Sequence, residues 1–456
     1  MVRTVAGWTP PKRVDAHLDS WSHRADDYPD DIELGPPVGQ SEASGRLENI
    51  VRMFQDRYDQ LHKILRRQCG FTETGSIQHV RTREWEYTST RGNPKSVNLI
   101  GMVSSVGRTG TGNLKLVIED KSGSMRVYVP SSNPLAATIV VDDVVGVTGS
   151  YRKFGGADGP TLFWCERVQF PEILHSNINK GGADFDPVSI AFVSDLHMGS
   201  KEFMEKEWDK MVRWLNSDDE TARNVKYLVC SGDVVDGVGV YPGHERNLGA
   251  SMSKHHSYKT DMTNVYDQYE FFARKLDELP ESITPIVLPG NHDAVRPAEP
   301  QPMLEPLIQQ RFNSAIHTGN PCRARLSGID LLSYHGKGID DIVPRMENVT
   351  YEAPAEAMKL MLQKRHLAPM WGERNALSPE EEDQMVIRDA PDVFVTGHTH
   401  AHQVEWHRGM PLVVSSTFQD ETDFMNMLGY RAKKCLLTVY NIQNRETRVV
   451  PFFDNE

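Results

Sequence analysis

Apolar and polar positions divide the chain into stretches of different periodicity. From Leu47 to Leu65 the side chains Leu47, Ile50, Val51, Phe54, Tyr58, Leu61, Ile64 and Leu65 recur at helical spacing, with Arg52, Arg57, Lys63 and Arg66 largely on other faces. This predicts an amphipathic helix docked over a core. Ahead of it, residues 1–45 mix Pro10, Pro11, Pro29, Pro36 and Pro37 with many acidic residues and show no periodicity, which predicts a flexible tail. Residues 46–95 read as a helical and irregular N-terminal region. From Ser96 the period shortens to that of strands. The runs Val97–Val106, Leu114–Glu119, Met125–Val129, Val144–Tyr151 and Leu162–Val168 are separated by Gly-rich or polar turns. Five short strands suit a small closed barrel, so an OB-fold domain is expected over residues 96–172. Ile173 to Pro187 reads as a linker. Strand-like runs then alternate with helical segments from residue 188 to 456: Ser189–Val193, Tyr227–Val229, Thr284–Leu288, Asp330–Tyr334, Val393–Val395, Leu412–Ser415 and Cys435–Tyr440. This alternation predicts a layered α/β domain.

Composition narrows the class. With 39% hydrophobic and 25% charged residues the chain has ordinary globular content. No run approaches the roughly 18 apolar residues of a membrane span, and the first residues lack the apolar core of a secretory signal. The five cysteines, Cys69, Cys165, Cys230, Cys322 and Cys435, stand singly, which argues against a disulfide framework or a thiolate zinc site. A reduced, cytoplasmic compartment is the expectation. The net charge of −13 repels nucleic acid, so any handling of DNA needs metal ions, a local basic patch or a partner subunit. Tyr128, Tyr151, Phe154 and Trp164 in the barrel could stack on bases, but small barrels need aromatics for their own cores, and the core reading is preferred.

The chemistry gathers at strand ends. Ile190–Val193 runs into Asp195-Leu196-His197, and Tyr227–Val229 into Gly232-Asp233-Val234-Val235-Asp236. Ile286–Leu288 leads to Gly290-Asn291-His292-Asp293, Leu331–Ser333 to His335, and Val393–Val395 to Gly397-His398-Thr399-His400. In open α/β sheets ligands bind at the carboxyl ends of strands. Two carboxylates, one amide and four imidazoles without sulfur suit hard or borderline divalent cations. A carboxylate bridging two such ions would make a two-metal hydrolase centre.

In this order the five pieces resemble the calcineurin-like metallophosphoesterases, whose ordered signature is Asp-x-His, Gly-Asp-x-x-Asp, Gly-Asn-His-Asp, a lone His and Gly-His-x-His. The resemblance implies a two-layered β-sandwich flanked by helices, preceded here by the OB-fold barrel. It implies one metal on Asp195, His197, Asp233 and His400, and a second on Asp233, Asn291, His335 and His398. His292 would then protonate the leaving oxygen or steady charge, with Asp293 orienting it.

The flanks sharpen the likeness. Val240-Tyr241-Pro242-Gly243, Ala298-Glu299-Pro300-Gln301-Pro302, His335-Gly336-Lys337-Gly338-Ile339-Asp340-Asp341 and Lys364-Arg365-His366-Leu367-Ala368-Pro369 resemble the small subunit of archaeal family-D DNA polymerase. The resemblance runs from about Ser96 to the end. It implies a manganese-dependent 3′→5′ proofreading exonuclease, while nitrogen and oxygen ligands by themselves suit manganese, iron, nickel or zinc. The implied partners are a large polymerising subunit and DNA with single-stranded or mismatched 3′ ends. A non-catalytic replication scaffold and a double-strand-break-repair type nuclease are the competing readings. A Ser/Thr phosphatase is disfavoured, because Gly237 follows Asp236 where those enzymes place a phosphate-gripping Arg. Glu446, Val449, Phe452 and Phe453 fall at the spacing of a sliding-clamp peptide, although the alternation from Thr447 favours a final strand.

Overall fold

The computed structural model describes residues 24–41, 45–72, 74–88, 95–154, 159–174, 182, 184–241, 244–249, 262–422, 425 and 431–453. Among the described residues a 3-10 turn (Arg24–Asp27) precedes strand β1 (Ile32–Leu34), followed by helices α1 (Leu47–Gln68) and α2 (Ile77–Thr82). Strands β2 (Val97–Arg108), β3 (Leu114–Asp120), β4 (Gly123–Val129), β5 (Val144–Lys153) and β6 (Thr161–Gln169) follow. They close into a barrel in the order β2-β3-β4-β6-β5. Alternate residues such as Leu114, Leu116 and Ile118 fill its interior, as the period of two requires. Tyr151 and Phe163 pack edge to face at 5.3 Å inside that core, so Tyr151 serves packing.

After the barrel come β7 (Ser189–Val193), α3 (Glu205–Leu215), β8 (Val225–Ser231), α4 (Val265–Asp277), β9 (Thr284–Leu288), α5 (Pro306–Gln309), β10 (Ile316–His317), β11 (Cys322–Leu326) and β12 (Ile329–Tyr334). The chain ends with α6 (Ile339–Ile342), α7 (Ala355–Lys364), β13 (Val393–Thr396), β14 (Gln403–His407), β15 (Met410–Val414), β16 (Leu436–Asn441) and β17 (Thr447–Pro451). Two six-stranded sheets result, β10-β9-β8-β7-β16-β17 and β1-β11-β12-β13-β15-β14. Ile190, Phe192, Tyr227, Val229 and Ile286 of the first meet Leu331, Val393, Val395 and Val413 of the second in one core between the layers. The other faces also carry apolar residues. Ala191, Val193 and Leu228 pack under α3 and α4, and Leu332, Phe394 and Leu412 pack under α7. Strands buried on both faces read as continuous apolar runs, which explains the sequence pattern of Ser189–Val193 and Thr284–Leu288.

Three expectations change. Within the stretch read as a flexible tail, residues 24–41 are placed: Ile32–Leu34 pairs antiparallel with β11, and Tyr227 Oη donates to the Asp31 carbonyl at 3.3 Å. Backbone pairing to a sheet edge needs no hydrophobic period, so composition gave no sign of it. Residues 1–23 and 42–44 of that stretch lie outside the described residues. On α1 the buried row is Met53, Arg57, Leu61 and Leu65, while Leu47 and Val51 are exposed. Arg57 turns inward because it pairs with buried Asp383 at 2.6 Å and donates to the Pro369 carbonyl. Finally, β11 and β14 had no apolar run to announce them: β11 alternates arginines with buried residues, and β14 carries Gln403, Glu405 and His407 and buries none of its residues fully. No helix among the described residues is long and apolar enough to cross a membrane.

Candidate metal centre

The loops after β7, β8 and β9 and those after β12 and β13 meet at the carboxyl edge of the two parallel strand groups. Hence every residue singled out above, although spread from 195 to 400, reaches one place. Five of them, Asp195, His197, Asp233, His398 and His400, have φ between 48° and 68°. This left-handed conformation is unfavourable for non-glycine residues, and it persists where the surroundings dictate side-chain direction. Two glycines permit the crowding. A Cβ on Gly290 would lie 2.2 Å from Asp233 Oδ1, and one on Gly397 would lie 1.8 Å from Ser194 Oγ.

Three groups of candidate ligand atoms form among the described residues. Asp195, His197 and His400 make the first and Asp233, His335 and His398 the second, while a third, His197, Asp236 and His292, adjoins the first. In the first, His197 Nε2 and His400 Nε2 stand 3.1 Å apart, with Asp195 Oδ1 3.5 Å from His400 Nε2. In the second, His335 Nε2 lies 3.2 Å from Asp233 Oδ2 and 3.1 Å from Asn291 Oδ1. Asp233 Oδ2 is also 3.9 Å from His197 Nε2, so the same oxygen borders both clusters.

The donor set fits cations. Asp195 is fully buried; its Oδ2 accepts the His398 N–H at 2.8 Å, but its Oδ1 has no hydrogen-bond partner among the described residues. A buried carboxylate oxygen left unpaired is costly, and a cation removes the cost. On three of the four histidines the ring nitrogen turned outward is anchored instead, while His400 Nδ1 has no hydrogen-bond partner among the described residues. His197 Nδ1 donates to Asp236 Oδ1 at 2.9 Å, His335 Nδ1 to the Ser231 carbonyl at 3.0 Å, and His398 Nε2 to Asp340 Oδ2 at 3.1 Å. Such outer partners fix tautomer and ring direction. Burial opposes charge on His335, yet Asp233 and then Asp195 outweigh it and raise its pKa to about 10. His400 goes the other way, held neutral by burial and by His197.

His292 lies at the mouth, 17% exposed, its ring edge-on to His197 at 4.6 Å. Its N–H donates to Asp233 Oδ1 at 2.7 Å, and its Nδ1 donates to the Asp236 carbonyl at 2.8 Å, leaving Nε2 as the free ring nitrogen. Burial pushes its pKa down to about 4. The resemblance gave Asp293 the role of orienting it, but among the described residues no hydrogen bond joins the two side chains. The Asp293 carboxylate accepts the Gly290 N–H at 2.8 Å and the Tyr269 hydroxyl at 2.9 Å, so it shapes the loop after β9. Burial, then Asp233, raises its pKa to about 7.

Sequence reasoning gave no role to Asp236, His244, Tyr269 or Asp340. Asp236 was visible as the last member of Gly-Asp-x-x-Asp; its second oxygen accepts from His244 Nε2 at 2.9 Å. Asp340 lies outside the five motifs, within a flanking run. Below the second cluster, Asn320 links His335 N–H to Glu299 and Gln301, and Gln301 Nε2 reaches the Gly290 carbonyl at 3.1 Å.

Comparison with known proteins agrees with the sequence resemblance. The family described as the B-subunits of DNA polymerases alpha and epsilon matches residues 190–405, and one described as OB-fold nucleic acid binding domain matches residues 97–178. The chain is similar to a DNA polymerase II small subunit of Archaeoglobus fulgidus, 37% identical over 411 residues, covering 88% of this chain and 77% of the relative. It is similar to another so named from Thermoplasma acidophilum, 33% identical over 454 residues, covering 99% and 86%. At this identity and coverage, the chain belongs to the DNA polymerase II small subunit family.

Proposed function

We propose that this chain is the 3′→5′ proofreading exonuclease of a replicative DNA polymerase, assembled with a large polymerising subunit and hydrolysing DNA phosphodiester bonds at a centre of two divalent cations, manganese first among them. The observation that carries the reading is the pair of adjoining ligand clusters with Asp233 Oδ2 at their border, and Asp195 Oδ1 buried and unpaired beside it. Asp195, His197, Asp233 and His400 would hold one cation, and Asp233, Asn291, His335 and His398 the other; bound there, the ions would supply Lewis acidity and an activated water.

The protein's own groups do the remaining work. With its Nδ1–H on the Asp236 carbonyl, His292 presents Nε2 as the site for a mobile proton. Its depressed pKa means the ring is neutral at neutral pH without substrate. A phosphate anion beside it raises its proton affinity, as any opposite charge does, so the proton is held when it is needed for the leaving oxygen. The cations also answer the charge problem of a chain at −13 that must approach DNA.

The test compares manganese-dependent hydrolysis of single-stranded DNA with that of para-nitrophenyl phosphate, using the purified chain. Preferential cleavage of DNA supports the nuclease reading. Absence of hydrolysis of either, with metal bound, would leave a non-catalytic scaffold.

A further inference from the structure

The chain leaving His335 turns at once and comes back over the same site. Gly336, at φ 119°, makes the turn; a Cβ there would lie 3.1 Å from the Gly397 carbonyl oxygen and 3.2 Å from His398 Cβ. Helix α6 follows and brings Asp340 against the ring of His398, a residue from a different strand. His398 Nε2 is 3.1 Å from Asp340 Oδ2. That carboxylate is itself gripped on both oxygens. Lys337 Nζ donates to Oδ2 at 2.6 Å and Tyr351 Oη to Oδ1 at 3.1 Å. The side chains of His398 and Asp340 are only 14% and 16% exposed. His398 is therefore fixed at two points, its N–H on Asp195 Oδ2 and its ring on Asp340.

We propose that Asp340 is a positioning residue for the second cation: by accepting the Nε2–H of His398 it leaves Nδ1 as the ligating nitrogen, which joins His335 and Asp233. The inference rests on the two-cation reading above. On the other side of the site Asp236 does the same for His197 through Nδ1, so that Nε2 is turned inward there. The two cations would thus each have one imidazole tied to a carboxylate, with opposite nitrogens used. Lys337 and Tyr351 keep the Asp340 carboxylate in place, and a fixed acceptor raises the basicity of the ligand it holds.

Two readouts test this in the full-length chain. The first is the tautomer of His398 in the metal-free protein, from nitrogen-15 histidine spectra assigned with His398→Ala. The second is manganese binding by titration calorimetry. The wild type is expected to hold the Nε2–H tautomer. Asp340→Ala is expected to lose that preference and to bind the second manganese on the order of ten- to a hundredfold more weakly, with the first unchanged. Asp340→Asn keeps an acceptor oxygen, so it retains the tautomer with a smaller loss of affinity. The Nδ1–H tautomer in the wild type, or an Asp340→Ala chain unchanged in both readouts, would overturn the proposal. If the alanine variant does not fold, unchanged second-site affinity in Asp340→Asn overturns it. A wild type that binds no second manganese fails the two-cation reading instead, and the tautomer comparison still decides what Asp340 does.

Discussion

Asp233 Oδ2 lies 3.2 Å from His335 Nε2, and the ring answers with a pKa raised to about 10 although burial opposes it. Since the same oxygen borders His197 as well, Asp233 and His335 differ in reach. Asp233→Ala is expected to abolish binding at both cation positions, whereas His335→Ala damages mainly one. Elemental analysis after purification in manganese checks this. Retention of two metals per chain by Asp233→Ala would sink the assignment.

His292 stands with His197 and Asp236 in a group of its own, outside the two groups proposed to hold the cations. His292→Ala should therefore keep its metal content and lose on the order of 10² to 10⁴ in cleavage rate, the usual size of a general-acid contribution. Metal lost together with activity would show it to be a ligand.

A separate prediction concerns the joint between α1 and the two-sheet domain, where Arg57, Asp383 and His366 are buried together. Asp383→Ala strands a buried guanidinium and is expected to cost about 3–5 kcal/mol, read from urea unfolding. The pH dependence follows from the two shifts. Burial opposes the Asp383 charge, but Arg57 and His366 outweigh it and hold the carboxyl well below its ordinary range. Its stabilisation is present above the unfolded value of about 3.9 and is lost as pH falls below that. Burial, then Arg57, holds His366 below its usual value, so its neutral ring also stabilises above about 6.5 and less below it. Stability should thus decline in two stages on acidification, and the lower stage should be weakened in Asp383→Asn.

Phe452 sits in the core beside Trp214 at 5.9 Å, while Phe453 is 37% exposed with Lys434 over its ring. The C-terminal run is strand β17 paired with β16, the favoured of its two sequence readings. Phe452→Ala is expected to lower stability by about 3 kcal/mol and Phe453→Ala by less than about 1 kcal/mol. Equal, negligible losses with weakened capture of a sliding clamp would restore the peptide reading.

Much of this was legible in the sequence because the signals were local. Barrel strands such as Leu114–Asp120 alternate cleanly, and the proposed ligands follow apolar runs within a few residues. What was hidden depended on contacts between distant segments. Asp340 is ordinary in its own helix and becomes informative only when His398 arrives from another strand. Arg57 looked like a solvent-facing residue of an amphipathic helix because its partner lies at Asp383. The tail strand Ile32–Leu34 is three residues long and acquires its conformation from β11.

The central claim is that the centre trims frayed 3′ ends. A paired end must unstack before its last nucleotide can enter a cleft, at a cost of a few kcal/mol, whereas a mismatched end is already open. The decisive measurement is the rate of manganese-dependent release of the terminal nucleotide from primers labelled at the 3′ or the 5′ end, with matched and mismatched termini, using the chain with its large subunit. Faster loss of label from mismatched 3′ ends is the predicted result; equal rates on both termini, or earlier release from the 5′ end, would contradict it.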